Sequence, residues 1–243
     1  MKIYAETDIG NVRKINQDSF YILEENENCK LCILADGMGG YTGGEVASRL
    51  ACMSAAEYIK ENFDSEKQYS KEEILEIIKR AMEYANYVVY EKSKQEEELE
   101  QMGTTLEICL IYNNRAHIGH IGDSRIYRIR QGIMRKITVD HSYVQKLVKD
   151  GTITKEEAIN HPKKNMLMKA LGCEDKIEPD IMVKGFNPED IILICSDGLT
   201  NMIAEQEIYN IVEENIENAT QNLIKKAKEL GGYDNITIII IKN

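Results

Sequence analysis

Proline is scarce in this chain, with 3 in 243 residues, and glycine stands at 16. A collagen-like or proline-rich linker protein is excluded. Long apolar runs are missing too. The most apolar stretches, Ile191–Cys195 and Ile236–Ile241, fall far short of the ~20 residues that span a bilayer. The N-terminal MKIYAETDIG has an early Asp and no apolar core of signal-peptide length. The C-terminal Ile-Ile-Lys-Asn is no prenylation signal. These absences lead to the expectation of a soluble cytoplasmic protein. Basic residues are in the minority: 30 Lys and Arg against 41 Asp and Glu give a net charge of −11. A nucleic-acid partner held by a basic surface is therefore not expected.

What is present is ordinary globular composition, 43% hydrophobic and 29% charged, in a chain long enough to bury a core unaided. No repeat or linker divides it. Cys29-Lys-Leu-Cys32 has CxxC spacing, but it runs into an apolar strand, with neither a helix start nor a second ligand pair. The six cysteines read as reduced, mostly buried thiols.

Strand-like runs fall at 2–7, 19–24, 29–35, 105–112, 116–121, 125–130, 181–184, 190–195 and 236–242. Gln131-Gly132 reads as a hairpin turn. Helical periodicity marks 44–62, 71–98 after a Ser70-x-x-Glu73 capping box, and 216–230. The charged run 91–100 reads as the solvated end of a long helix. Strands cluster before and after two consecutive helices instead of alternating with them. Antiparallel sheets covered by helices fit that order. One region departs from the acidic balance: 125–169 holds eleven Lys and Arg against four acidic residues. Its 141–171 part has short helical pieces, a Thr154-x-x-Glu157 cap and a His161-Pro162 break, and reads as an inserted subdomain. Its charge suits either a solvated surface or an anionic partner.

Acidic residues recur where strands end: Asp36-Gly37, Gly122-Asp123, Asp197-Gly198, Asp234-Asn235 before the last strand, and Asn16-Gln17-Asp18 before an early one. One Asp-Gly after a strand is a turn. Several together at one rim would repel each other and need a counter-charge. With oxygen ligands and few nitrogen or thiolate candidates, a hard divalent cation fits, Mg²⁺ or Mn²⁺. Two such ions can share a water, lower its pKa and clamp the oxygens of a phosphoryl group.

The motifs form an ordered series. They are Thr7-Asp8-x-Gly10-x-x-Arg13-x-x-Asn16-Gln17-Asp18, Ala35-Asp36-Gly37-Met38-Gly39-Gly40, Met102-Gly103-Thr104-Thr105 and Gly122-Asp123-Ser124-Arg125. Asp140-His141-Ser142, Ala170-Leu171-Gly172, Ser196-Asp197-Gly198-Leu199 and Asp234-Asn235-Ile236-Thr237 follow in order. The chain thereby resembles the metal-dependent protein serine/threonine phosphatases of type 2C, in their compact bacterial form, over about residues 7–238.

The resemblance implies an α+β fold: an α-β-β-α sandwich of two antiparallel sheets with helices on both outer faces. It implies one catalytic domain, 1–243, containing a small helical flap at 143–170. It implies that Asp36 bridges two ions, with the Gly37 carbonyl on the second and Asp197 and Asp234 as the remaining carboxylates. Asp123, with Asp197, would take a third, weaker ion, and Asp18 would be an outer-shell carboxylate. Arg13 would clamp the substrate phosphate, a task that suits a planar, always-charged fork. Lys163 and Lys164 of the flap would meet phosphorylated proteins. The implied reaction is hydrolysis of phosphoserine and phosphothreonine by a water activated between two ions, with no phosphoenzyme. A bacterial Ser/Thr kinase and its substrates would be the partners, and nothing requires more than a monomer. Animal members carry His after the Asp-Gly; here Met38 stands there, so the general acid is unassigned, a metal-bound water being the substitute expected.

The four histidines add little to this set. His117 and His120 are three apart on a strand, so they face opposite sides and cannot pair as ligands. His141, in the Asp140-His141-Ser142 motif, has two readings, a place near the site or structural hydrogen bonding, and the second is favoured. Two other readings stay open: a relative acting on an anti-sigma antagonist, which the flap segment disfavours, and a dead scaffold, which the filled Asp positions disfavour.

Overall fold

The computed structural model describes residues 1–26 and 28–243, leaving out the side chains of residues 40–42. Two sheets face each other. In spatial order, one holds β1 (Lys2–Asp8), β11 (Ile236–Lys242), β10 (Ile191–Cys195), β7 (Arg125–Arg130) and β8 (Ile133–Lys136). The other holds β2 (Asp18–Asn26), β3 (Cys29–Met38), β5 (Leu106–Tyr112), β6 (Arg115–Ile121) and β9 (Asp180–Gly185), with the two-residue β4 (Gly103–Thr104) on the end of β3. The ladders within both sheets are antiparallel, as expected.

The apolar runs in these strands are continuous because both faces are covered. Along β3, Leu31, Ile33 and Ala35 face α1 (Gly40–Asn62) and α2 (Lys71–Gln95), while Cys32 and Leu34 face the other sheet. Along β11, Ile236, Ile238 and Ile240 face the opposite outer layer, and Ile239 and Ile241 face inward. The period of two thus splits each strand between two cores. It also separates Cys29 from Cys32, which cannot chelate together, and all six cysteines are free.

Between β8 and β9 lie α3 (Tyr143–Lys149) and α4 (Lys155–Ile159), the latter with its expected Thr154–Glu157 capping box. After β10 come the single turn α5 (Asp197–Thr200), then α6 (Glu205–Glu214) and α7 (Ala219–Glu229), which cover the first sheet.

Several boundaries differ from the sequence expectation. α1 begins at Gly40 rather than 44, with no side-chain cap and Gly39 at φ 115°. α2 keeps its Ser70–Glu73 capping box but ends at Gln95, and a 3-10 turn follows at Glu97–Leu99. The stretch 216–230 divides into a 3-10 turn, Ile216–Asn218, and α7. Helix α6 is not among the expected helices, since Ile208 and Val212 are its only fully buried positions. The hairpin at Gln131-Gly132 forms with φ of 50° and 76°, the left-handed pair that a two-residue turn requires.

Candidate active site

The acidic strand ends meet at one rim of the sandwich. Asp18 opens β2 and pairs in register with Asp36 near the end of β3, so two carboxylates stand directly across a ladder. Like charges so opposed destabilise a sheet unless something offsets them. Asp197 opens α5 beyond β10, Asp234 precedes β11, and Asp123 follows β6. Asp36, Asp123, Asp197 and Asp234 line one cavity of about 600 Å³, together with Gly37, Arg13 and Lys14.

Close backbone approach brings them there. A Cβ on Gly37 would lie 2.0 Å from the Gly44 carbonyl oxygen, and one on Gly198 would lie 1.9 Å from that of Asn235. Only glycine fits after either Asp. Asn235 ties down the loop that carries Arg13: its Nδ2 donates to the carbonyls of Ile9 and Ile15 at 2.9 and 3.1 Å, and its Oδ1 accepts from Gln17 N–H at 2.8 Å. Thr105 ties Asp36 to the Asp123 turn. Its Oγ1 accepts from Asp36 N–H at 2.9 Å and shares a hydrogen bond with Ser124 Oγ at 2.8 Å.

Asp18 sits behind the cavity and not in its lining. Its Oδ2 accepts from Thr237 Oγ1 at 2.7 Å and Ser196 Oγ at 2.8 Å, which joins the two sheets. Its Oδ1 is buried without a partner. Burial pushes Asp18 up to about 7, against those two hydroxyls and with Asp197 and Asp234 adding to it. Burial and then the charges of Asp18, Asp197, Asp123 and Asp234 hold Asp36 well above the usual carboxylate range. Asp123 rises to about 8 through burial and then Asp197. Asp197 rises to about 6 through burial and then Asp234, opposed by Arg125, Asn201 and Arg13.

The cluster is short of positive charge. Arg13 donates to Asp234 Oδ2 at 2.7 Å, and Arg125 is engaged with Asp140, to which Nε and Nη2 donate at 3.0 and 2.7 Å. Among the described residues, no three His, Cys, Asp or Glu side chains are gathered to hold an ion by themselves. Asp18, Asp197 and Asp234 each make a side-chain hydrogen bond within the protein. A hard cation such as Mg²⁺ keeps much of its water and uses one or two carboxylates, so this set fits it. The orphaned Asp18 Oδ1 fits it as well, because an unpaired buried acceptor costs about 1–3 kcal/mol or more.

Of the residues singled out from sequence, Arg13, Asp36, Gly37, Asp123, Asp197 and Asp234 come together around the cavity. Lys163 and Lys164 do not line it. The segment after α4 reaches it instead through Asn165 and Leu167, which the sequence reading missed. Their signal is weak: the chain past the Pro162 break returns with alternate residues toward the cavity. Thr105 and Asn235 lie inside recognised motifs, yet their supporting roles depend on hydrogen bonds that only the fold reveals. His117 is buried with Nδ1 3.3 Å from the Leu110 carbonyl, and His120 and His141 stack on each other. None of the three lines the cavity.

Comparison with known proteins gives the family. Residues 11–230 match the protein phosphatase 2C family. The serine/threonine phosphatase stp of Listeria monocytogenes is 37% identical over 238 residues, covering 97% of this chain and 93% of that protein. The crystal structure of the Mycobacterium tuberculosis serine/threonine phosphatase PstP/Ppp superposes with a TM-score of 0.89 at 34% identity, covering 100% of this chain and 99% of that one. The catalytic domain of PstP, solved in complex with 2 manganese ions, gives 0.84 at 34% identity, covering 98% of this chain and 96% of that one. With a sandwich of two antiparallel sheets and full-length likeness to bacterial enzymes that remove phosphate from proteins, this chain belongs to the protein phosphatase 2C family of metal-dependent serine/threonine phosphatases.

Proposed function

We propose that Asp36, Asp197 and Asp234, with the Gly37 carbonyl, hold two Mn²⁺ or Mg²⁺ ions, and that Asp123 with Asp197 holds a third, weaker one. Asp18 supports them from behind as a hydrogen-bond acceptor. When bound, such ions acidify a water and polarise phosphoryl oxygens. The convergence of four carboxylates and Arg13 on one cavity, from segments far apart in sequence, carries this reading. The manganese in the related PstP catalytic domain supports it.

Arg13 supplies the fork that binds two phosphoryl oxygens and offsets charge as the ester bond breaks. The carboxylates fix where positive charge sits, so a phosphate dianion can enter a cavity that would otherwise repel it. Hydrolysis is direct. Among the described residues lining the cavity there is no Ser, Cys or His, the Thr105 hydroxyl is committed to Asp36 N–H and Ser124, and the four aspartates are assigned to the cations rather than to attack on phosphorus. Met38 has no proton to give the leaving group.

The substrates are phosphoserine and phosphothreonine proteins, including a cognate Ser/Thr kinase and its targets. The chain works as one catalytic domain, with 143–170 as its flap and Lys163 and Lys164 as docking cations. It acts as a monomer in the cytoplasm.

The test is release of phosphate from p-nitrophenyl phosphate and a phosphothreonine peptide, with EDTA and then with added Mn²⁺ or Mg²⁺. Release that EDTA stops and either ion restores is the expected result. Release that continues in EDTA would overturn the cation reading.

A further inference from the structure

We infer that His141 is a positioning residue: it locks the flap and the Gly122-Asp123 turn into one unit, so that both line the site together. The inference rests on the proposed function only in taking that turn and the flap as parts of the site.

Two hydrogen bonds close on Gly122 from this one residue. His141 N–H donates to the Gly122 carbonyl at 2.7 Å, and Gly122 N–H donates to His141 Nδ1 at 3.2 Å. Gly122 itself has φ 115°, so the turn that presents Asp123 has a left-handed conformation and needs outside support. The same residue anchors the flap. Its carbonyl accepts from Met168 N–H at 2.7 Å, and the pairing continues through a Ser142–Leu167 bridge and Tyr143 N–H to the Met166 carbonyl at 2.8 Å. Asn165 and Leu167, on this returning segment, line the cavity with Asp123.

The ring cannot turn freely. A backbone N–H only donates, so Nδ1 carries the lone pair and the proton sits on Nε2, which faces Asp180 Oδ2 at 3.4 Å. The ring stacks on His120 with centroids 4.6 Å apart. His120 is held in turn by Glu107 at 2.6 Å and the Val139 carbonyl at 2.9 Å. The second sheet therefore sets the angle at which His141 meets Gly122.

The test compares the wild-type chain with His141→Ala and His141→Asn by hydrogen–deuterium exchange, without substrate or added ion. Kinetics on a phosphothreonine peptide and on p-nitrophenyl phosphate accompany it. The Asn Oδ1 stands where Nδ1 stands and still accepts from Gly122. In His141→Ala, exchange should rise about fivefold to tenfold, together, in 119–125 and 163–168, while α1 stays protected. The peptide's KM should rise more than that of the aryl phosphate. His141→Asn should restore the exchange and most of the KM. A rise in one segment without the other, or no rescue by Asn in a folded protein, would overturn the inference. Because exchange needs no turnover, this failure is distinct from failure of the phosphatase reading. If the Ala variant does not fold, ¹⁵N NMR of the wild type decides: an Nε2–H tautomer at His141 supports the coupling, and an Nδ1–H tautomer overturns it.

Discussion

Arg13 donates through Nη2 to Asp234 Oδ2 at 2.7 Å, across 221 positions of sequence. The guanidinium that would bind phosphate thus rests on a carboxylate that would bind a cation. The two side chains are 49% and 34% exposed, so the pair itself contributes little to stability. Its consequence is competition. Arg13→Ala should bind Mn²⁺ a few-fold more tightly than wild type in isothermal titration, yet lose about 10²-fold in kcat/KM on p-nitrophenyl phosphate. Weaker Mn²⁺ binding by the variant would contradict the competition.

Asp36 faces Asp18 across the ladder, and both are pushed above the usual carboxylate range. Removing one charge should relieve repulsion in the cation-free chain. Asp36→Asn is expected to abolish turnover while melting higher than wild type in EDTA. A relief of about 1 kcal/mol corresponds to about 2–4 °C in a chain of this size. A lower melting temperature in EDTA would show that Asp36 holds the fold together as a charged group.

The strand-end aspartates are legible in the sequence because their glycine partners leave a mark. Gly37 and Gly198 are forced by carbonyl oxygens 2.0 and 1.9 Å from where a Cβ would be, and the sequence records that pressure as repeated Asp-Gly. The sandwich is legible from strands apolar on both faces, such as Ile191–Cys195. Helix α6 is not, because its inward face is only Ile208 and Val212 fully buried among Glu, Gln and Asn. The start of α1 is also hidden, since a glycine-rich opening without a capping side chain carries no start signal. Glu107 and His120 cannot be paired from sequence. Their meeting depends on the register of β5 against β6, which periodicity does not specify.

That pair gives a pH prediction. Burial alone would push His120 down, but the Glu107 carboxylate, with the Val139 carbonyl, holds it up to about 9. Burial likewise pushes Glu107 up to about 7. The raised His120 means that the folded chain holds a proton which the unfolded chain releases near pH 6.5, while the raised Glu107 acts with the same sign at lower pH, its share being lost as pH rises through about 7. The His120 stabilisation is therefore complete below about pH 6.5 and is lost as pH rises through about 9. In urea melts with EDTA, the advantage of wild type over Glu107→Gln should shrink between those values, by at most about 1.4 kcal/mol per pH unit. An advantage that grows with pH would reverse the assignment.

Lys163 and Lys164 are exposed and lie beside the cavity, not in it, with Lys163 Nζ 5.3 Å from the centre of the Tyr143 ring. Converting both to Ala should cost about threefold to tenfold in kcat/KM on a phosphoprotein, and less on an aryl phosphate. The difference should fade as salt rises toward 1 M, where the screening length is about 3 Å. Equal losses on both substrates would remove the docking role.

The most direct measurement is a count of bound ions. Mn²⁺ titrated into the EDTA-stripped, dialysed chain, followed by electron paramagnetic resonance and calorimetry, should show two tight sites and a weaker third. Asp123→Asn should lose only the weak one, and Asp36→Asn should lose both tight ones. Two tight sites that survive in Asp36→Asn would contradict the assignment of the cation centre to these carboxylates.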